Sequence, residues 1–198
     1  MTVSITTTSK KYHGRMAETY EPNRITQGRW KIENEEVERL LAKLKPRSVL
    51  DVPVGTGRYI PAYERLNVKR VIGVDVSDEM VAQAAKKAKR VKNCKGITLK
   101  VKDVRMLKTE PVDVSVCVRF LDLIDEEAMR QVVKKLMSVS EKAIICTIRF
   151  GPKYVPKSNT AEHDESKFRS LLKKNGWKIA KAIPVFTQGW FILLLKPQ

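Results

Sequence analysis

The stretch Ser48-Val49-Leu50-Asp51-Val52-Pro53-Val54-Gly55-Thr56-Gly57-Arg58-Tyr59 decides the fold. Ser48 to Val52 is a short apolar strand that stops in a Pro/Gly turn, and Ile60 to Leu66 follows as a short helix. The same unit then repeats. Arg70 to Val76 reads as a second strand, and Ser77 caps a helix running through Val91 with Met80 at its third position. Ile97 to Val101 is a third strand and Val112 to Val118 a fourth. Asp125 starts a helix through Met137, and Lys142 to Phe150 is a fifth strand. On the N-terminal side, WKIENEEVERLLAKL (30–44) carries Val37, Leu40, Leu41 and Leu44 at helical spacing. Lys45-Pro46 ends that helix, because the residue before a proline avoids the α region.

Strands that alternate with helices build a parallel sheet covered on both faces. The end of the chain breaks this pattern. Residues 151–163, with two prolines and a glycine, read as a loop, and a helix begins at Asp164 or Ser166 and stops at Asn175-Gly176. Two further strands, Lys178–Phe186 and Trp190–Leu195, are joined by Thr187-Gln188-Gly189. So short a link permits only antiparallel pairing. The expected fold is therefore α/β: a doubly wound, mostly parallel seven-stranded sheet with a C-terminal antiparallel hairpin. Residues 1–29 read as a flexible N-terminal segment able to act as a lid, and 30–198 as one domain.

Composition bounds the function. The 198 residues are 42% hydrophobic and 31% charged, enough for a full core and wrong for a disordered tail. Thirty-nine Lys and Arg against 22 Asp and Glu give a formal charge of +17. Such a field attracts phosphates, acidic substrates or anionic membrane. Cys94, Cys117 and Cys146 are an odd set, two of them in apolar runs, and read as reduced and buried. Without an apolar stretch long enough to span a bilayer or a signal core in residues 1–11, the expectation is a cytoplasmic protein. No Cys/His/Asp spacing suggests a metal.

Three acids follow three successive strands: Asp51, Asp75 and Asp103. Glycines at 55 and 57 let backbone approach a ligand. Asp75, twenty residues after Gly55, suits the two hydroxyls of a ribose. Asp103 suits the amino edge of a base, one strand further on. A dinucleotide fingerprint needs glycine or alanine where this chain has Ile60, and Asp51 would repel a pyrophosphate. The same carboxylate suits a ligand with a cationic arm, such as S-adenosylmethionine (SAM).

VLDVPVGTGRY resembles the glycine-rich first motif of class I SAM-dependent methyltransferases. VIGVDVSDEMV resembles their second motif, VKDVRML their adenine-contacting motif, and VDVSVCVRFLDLID their fourth-strand motif. The resemblance covers residues 30–198, with Pro53 where the family usually has glycine. It implies SAM as cofactor and S-adenosylhomocysteine as product. It also implies that Asp51, Val52, Pro53, Gly55, Gly57 and Arg58 surround the methionine end. Asp75 would hold the ribose, Val76 and Met80 the adenine face, and Asp103 and Val104 the adenine edge. Arg119 would pass the methionine arm, by backbone or, through its guanidinium, toward the substrate. Tyr12, Tyr20, Arg29 and Trp30 fall where many members place a lid, and Tyr154 falls in the loop on the acceptor side.

Plainer roles exist for several of these residues. Asp51 and Asp75 suit helix caps, Asp103 a turn, and Trp30 a core anchor. Cys117 reads as a small buried hydrophobe. Among residues near the methyl, Arg119, Asp122 and His163 are the candidate catalytic groups.

The implied reaction is in-line methyl transfer to a small or medium-sized acceptor. The fourth strand lacks the Asn/Asp-Pro-Pro-aromatic stretch of base amino methylation and the Pro-Cys pair of cytosine methylation. Two alternatives stay open. One is an RNA methyltransferase gripping its substrate through the acid-free run 86–102, which holds Lys86, Lys87, Lys89 and Arg90 among eight cations. The other is a SAM-binding regulatory or nucleic-acid-binding protein without turnover.

Overall fold

The computed structural model describes residues 28–92, 96–151, 155–156, 160–185 and 189–198, without the side chains of residues 29, 155 and 156. The helices are α1 (Gly28–Leu44), α2 (Ile60–Arg65), α3 (Asp78–Ala88), α4 (Glu126–Val139) and α5 (Glu165–Lys174). The long strands are β1 (Ser48–Asp51), β2 (Arg70–Asp75), β3 (Ile97–Val101), β4 (Val112–Cys117) and β5 (Ser140–Gly151). Two short strands, β6 (Val155–Pro156) and β7 (Ala161–Asp164), precede α5, and β8 (Trp177–Pro184) and β9 (Trp190–Pro197) close the chain.

The seven long strands lie in the order β3-β2-β1-β4-β5-β9-β8. β1 to β5 pair in parallel, and β9 runs antiparallel to both β5 and β8. The doubly wound sheet and the reversed final strand are those expected from the sequence. Strand order reverses between β1 and β4, which opens a crevice at their carboxyl ends.

Alternation along the strands divides the core. Val49 packs on one face with Val37 and Leu41 of α1 and Tyr63 of α2. Its neighbour Leu50 packs on the other with Met129 and Val132 of α4 and Phe168 of α5. α3 joins the first face through Ala84, which meets Val54, Ile60 and Leu99. Caps set the helix starts. Ser77 accepts from the Met80 amide at 3.2 Å, Asp125 from Ala128 at 2.8 Å and Asp164 from Lys167 at 3.0 Å. Cys117 and Cys146 sit opposite each other on β4 and β5, fully buried as free thiols. Cys94 lies outside the described residues.

Two expectations need correction. The loop expected at 151–163 contains β6 and β7, which pair with each other, while β7 extends the parallel ladder through Phe150↔His163 and Gly151↔Asp164. Four polar-rich residues have no strand pattern of their own; the end of β5 templates them. The second correction is that α3 stops at Ala88 rather than Val91. Lys89 caps it, its amide donating to the Ala85 carbonyl, and the exposed Lys89 and Arg90 lead into a turn while Val91 still packs on the core.

Candidate active site

The crevice at the strand ends is a pocket of about 900 Å³ including its mouth. Each strand contributes through its carboxyl end and each helix through its amino end. The β1 turn supplies Val52 to Thr56, with Arg58 and Tyr59; β2 supplies Asp75 and Val76; α3 supplies Met80. Lys102, Asp103 and Val104 follow β3, Val118 to Phe120 and Leu123 follow β4, and Trp30 comes from α1.

Asp75 sits at the centre of the β2 end. Its Oδ2 accepts from the Gly55 amide and its Oδ1 from the Ser77 amide, each at 3.0 Å. Burial pushes its carboxyl above the usual range, against the pull of the Ser77, Gly55 and Val76 amides. A carboxylate offers about four lone-pair sites, so acceptor capacity remains on the pocket side. Val76, Met80 and Val104 make an apolar patch beside it that fits the face of a base. Asp103 lines the wall too, but both its oxygens accept from the Arg105 guanidinium. Burial works to raise its pKa; Arg105 outweighs that and holds it below the usual range.

The sequence candidates divide. Val52, Pro53, Gly55, Arg58, Asp75, Val76, Met80, Asp103, Val104, Arg119 and Trp30 converge on the pocket. Asp51, Gly57, Asp122 and His163 do not line it. Asp51 is buried at the end of β1. Burial raises its carboxyl to about 7, opposed by the Tyr63 hydroxyl, increased by Asp75 and opposed again by Arg58. Gly57, with φ of +76°, lets the turn lie against α3: a Cβ there would stand 2.6 Å from Ile60 Cδ1 and 3.1 Å from Ala84 Cα. Asp122 is buried behind the wall, and burial raises it to about 6 against the attraction of Arg119. His163 is fully buried on β7, with Nε2 2.7 Å from the Leu121 carbonyl. A carbonyl only accepts, so Nε2 carries the proton and His163 braces the turn at Leu121–Leu123. Burial lowers its pKa. Tyr12, Tyr20 and Tyr154 lie outside the described residues, as does the Arg29 side chain.

One feature was absent from the sequence candidates. Glu33 of α1 is completely buried and joins two arginines of the wall. Its Oε1 lies 2.6 Å from Arg58 Nη1, and its Oε2 2.9 Å from Arg119 Nε. Arg58 also donates to the Trp30 carbonyl at 2.9 Å and to Asn34, and its guanidinium lies 3.5 Å above the Trp30 ring. The Arg119 guanidinium lies 4.8 Å from the Trp190 ring. Arg119 itself adopts φ of +60°, with its amide donating to Thr147 Oγ1 at 2.7 Å. The sequence did hold a signal: Glu33 falls three residues after Trp30 and four before Val37, on the apolar stripe of α1.

A parallel sheet with a glycine turn, a buried acid at the second strand end and an apolar base-sized patch defines a Rossmann-like domain for a nucleoside cofactor. Residues 49–142 match a family described as a methyltransferase domain. The fold is similar to magnesium protoporphyrin IX methyltransferase from Synechocystis PCC 6803 with bound S-adenosylhomocysteine, at TM-score 0.79 and 21% identity over 98% of this chain and 99% of that one. It is also similar to a SAM-dependent methyltransferase from Clostridium acetobutylicum ATCC 824, at TM-score 0.70 and 16% identity over 92% and 98%. A third neighbour is ribosomal protein L11 methylase from Lactobacillus delbrueckii subsp. bulgaricus, at TM-score 0.58 and 20% identity over 76% and 69%. No curated protein matches the sequence. The matched segment, residues 49–142, is a methyltransferase domain, and the chain around it has the fold of SAM-dependent methyltransferases.

Proposed function

We propose that this methyltransferase acts on a small or medium-sized acceptor, with SAM held along the ends of β1 to β4. The observation that carries the cofactor placement is the Asp75 carboxylate, fixed by two amides beside the patch of Val76, Met80 and Val104. SAM supplies a methyl carbon already activated by a sulfonium. The chain's part is then to bind, orient and exclude water. Asp75 takes the ribose hydroxyls, the Val52–Gly55 turn carries the methionine arm, and Trp30 with Arg58 covers the mouth. The small-molecule substrate in the name of the protoporphyrin neighbour supports a small acceptor. Incubation with methyl-labelled SAM and fractionated cell extract tests this: label should enter the small-molecule fraction, and label only in RNA or protein would overturn it.

Asp51 gives this reading a pH signature. Its ordinary pKa of 3.8 is raised to about 7. A cation entering the pocket favours the ionised form, so binding expels a proton. SAM affinity should therefore rise about five- to tenfold between pH 6 and pH 8, flattening above 7. Asp51→Asn should bind more weakly and lose most of that dependence in calorimetric titrations. An unchanged pH profile in the variant would remove Asp51 from the account. For the empty chain the sign is opposite: the folded state holds the proton more tightly, so this group costs stability as pH rises from about 4 to about 7.

A second reading has its own observation. Lys86, Lys89 and Arg90 are exposed at the end of α3 and make no ion pair among the described residues. They lie six to ten residues beyond Met80, about 9–15 Å along the helix from the pocket. Such a face can hold a phosphate backbone but does not present it to the methyl group. Replacing Lys86, Lys87, Lys89 and Arg90 with Gln should weaken RNA binding and lower its salt slope by up to about 3, with SAM affinity unchanged. Methylated RNA lost in that variant would move the RNA reading to first place. No helix among the described residues is long and apolar enough to cross a membrane.

A further inference from the structure

We propose that Glu33 is a charge-compensating positioning residue, and that it sets the ratio in which the pocket binds cationic SAM and its neutral product S-adenosylhomocysteine. The inference rests on the cofactor reading above. Three cations, Arg58, Lys102 and Arg119, line the pocket against two carboxylates, Asp75 and Asp103. Asp103 is paired with Arg105 at 2.6 Å, which spends its charge outside the pocket. The wall alone therefore has the wrong sign for SAM, whose ammonium, sulfonium and carboxylate sum to +1. S-adenosylhomocysteine has lost the sulfonium charge and sums to zero.

Neither pocket-wall guanidinium beside Glu33 is free to swing away. Arg58 is held by the Trp30 carbonyl and Asn34 while it lies 3.5 Å over the Trp30 ring, and Arg119 is seated against Trp190. Their charge is a fixed feature of the site. Glu33 meets both from behind, at 2.6 and 2.9 Å, with its side chain fully buried. In so dry a place one carboxylate changes the potential in the pocket far more than a surface charge does. Asp51 and Asp122 also lie behind the wall, raised by burial to about 7 and about 6, so Asp51 is about half ionised and Asp122 mostly ionised at neutrality; among the described residues, Glu33 is the carboxylate that meets both guanidiniums. Glu33 is thus the carboxylate whose charge falls most directly on the two pocket-wall guanidiniums, and it offsets their repulsion of a sulfonium.

A bland alternative is that Glu33 only anchors α1. The two differ in one quantity, the ratio of the dissociation constants of SAM and S-adenosylhomocysteine. Loss of an anchor weakens both ligands alike. Loss of compensation weakens the cation more. The full chain is titrated with each ligand by calorimetry, as wild type, Glu33→Gln and Arg119→Gln. In Glu33→Gln the ratio should move toward S-adenosylhomocysteine by about fivefold or more. In Arg119→Gln, which removes a cation instead, it should move the other way. Equal weakening of both ligands in Glu33→Gln overturns the proposal. Should that variant fail to fold, Arg119→Gln decides alone, and an unmoved or oppositely moved ratio overturns it. Wild-type chain that binds neither ligand would instead bring down the cofactor reading, and the proposal with it.

Discussion

Replacing Gly189 by alanine is expected to destabilise the fold by about 3 kcal/mol or more. Gly189 precedes β9 with φ of +86°, a conformation that costs any residue with a Cβ. The added Cβ would stand 2.3 Å from the Phe150 carbonyl oxygen. That oxygen is backbone, and the strand end it belongs to is locked to Gly189 by a 2.7 Å bond from the Phe150 amide. No side chain can rotate to make room. Relief requires β9 to shift against β5, and Ile192, Leu193 and Leu195 of β9 are fully buried. Gly176 is the natural control: φ is +71°, but nothing lies within 4 Å of a Cβ there, so its alanine variant should lose only about 1 kcal/mol. Urea midpoints of the two variants measure the difference. Equal midpoints would mean that β9 does not meet the end of β5 as described.

Asp75→Ala is expected to weaken SAM by about 1.5–3 kcal/mol, a factor of roughly ten to more than a hundred. Two consequences act together. The ribose hydroxyls lose a charged acceptor, and the Gly55 and Ser77 amides lose the group that fixes the first turn and the start of α3. The loss should appear in S-adenosylhomocysteine to a similar extent, because the ribose is common to both. Circular dichroism establishes that the variant is folded. Unchanged affinity in the folded protein would remove Asp75 from the site.

What the sequence showed and what it hid follow from range. The βαβ alternation, the Ser77 cap, the helix starts at Asp125 and at Asp164 (one of the two starts expected), and the reversed hairpin are local signals, and each stands in the structure. So do the wall residues from the turn after β1 and the ends of β2 and β3, because a parallel sheet brings successive strand ends to one edge. The misses are long-range. β7 is a strand only because β5 pairs with it. His163 looked available in a loop and is instead sealed against the Leu121 carbonyl, 42 residues away in sequence. Asp122 shares a turn with two pocket residues yet points into the protein, because a single turn of helix presents only some of its side chains to the mouth. Glu33 pairs with Arg58 and Arg119 across 25 and 86 residues, distances at which spacing carries no information; only its place on an apolar stripe betrays it.

The central claim is that the strand-end crevice holds SAM rather than a dinucleotide. Calorimetric titration of the chain with SAM, S-adenosylhomocysteine and NAD, one at a time, tests it most directly. The account predicts one site that takes SAM and S-adenosylhomocysteine at about micromolar concentration, is weakened in Asp75→Ala, and gives no heat with NAD. Binding of NAD at that concentration, with none of SAM or S-adenosylhomocysteine, would contradict it.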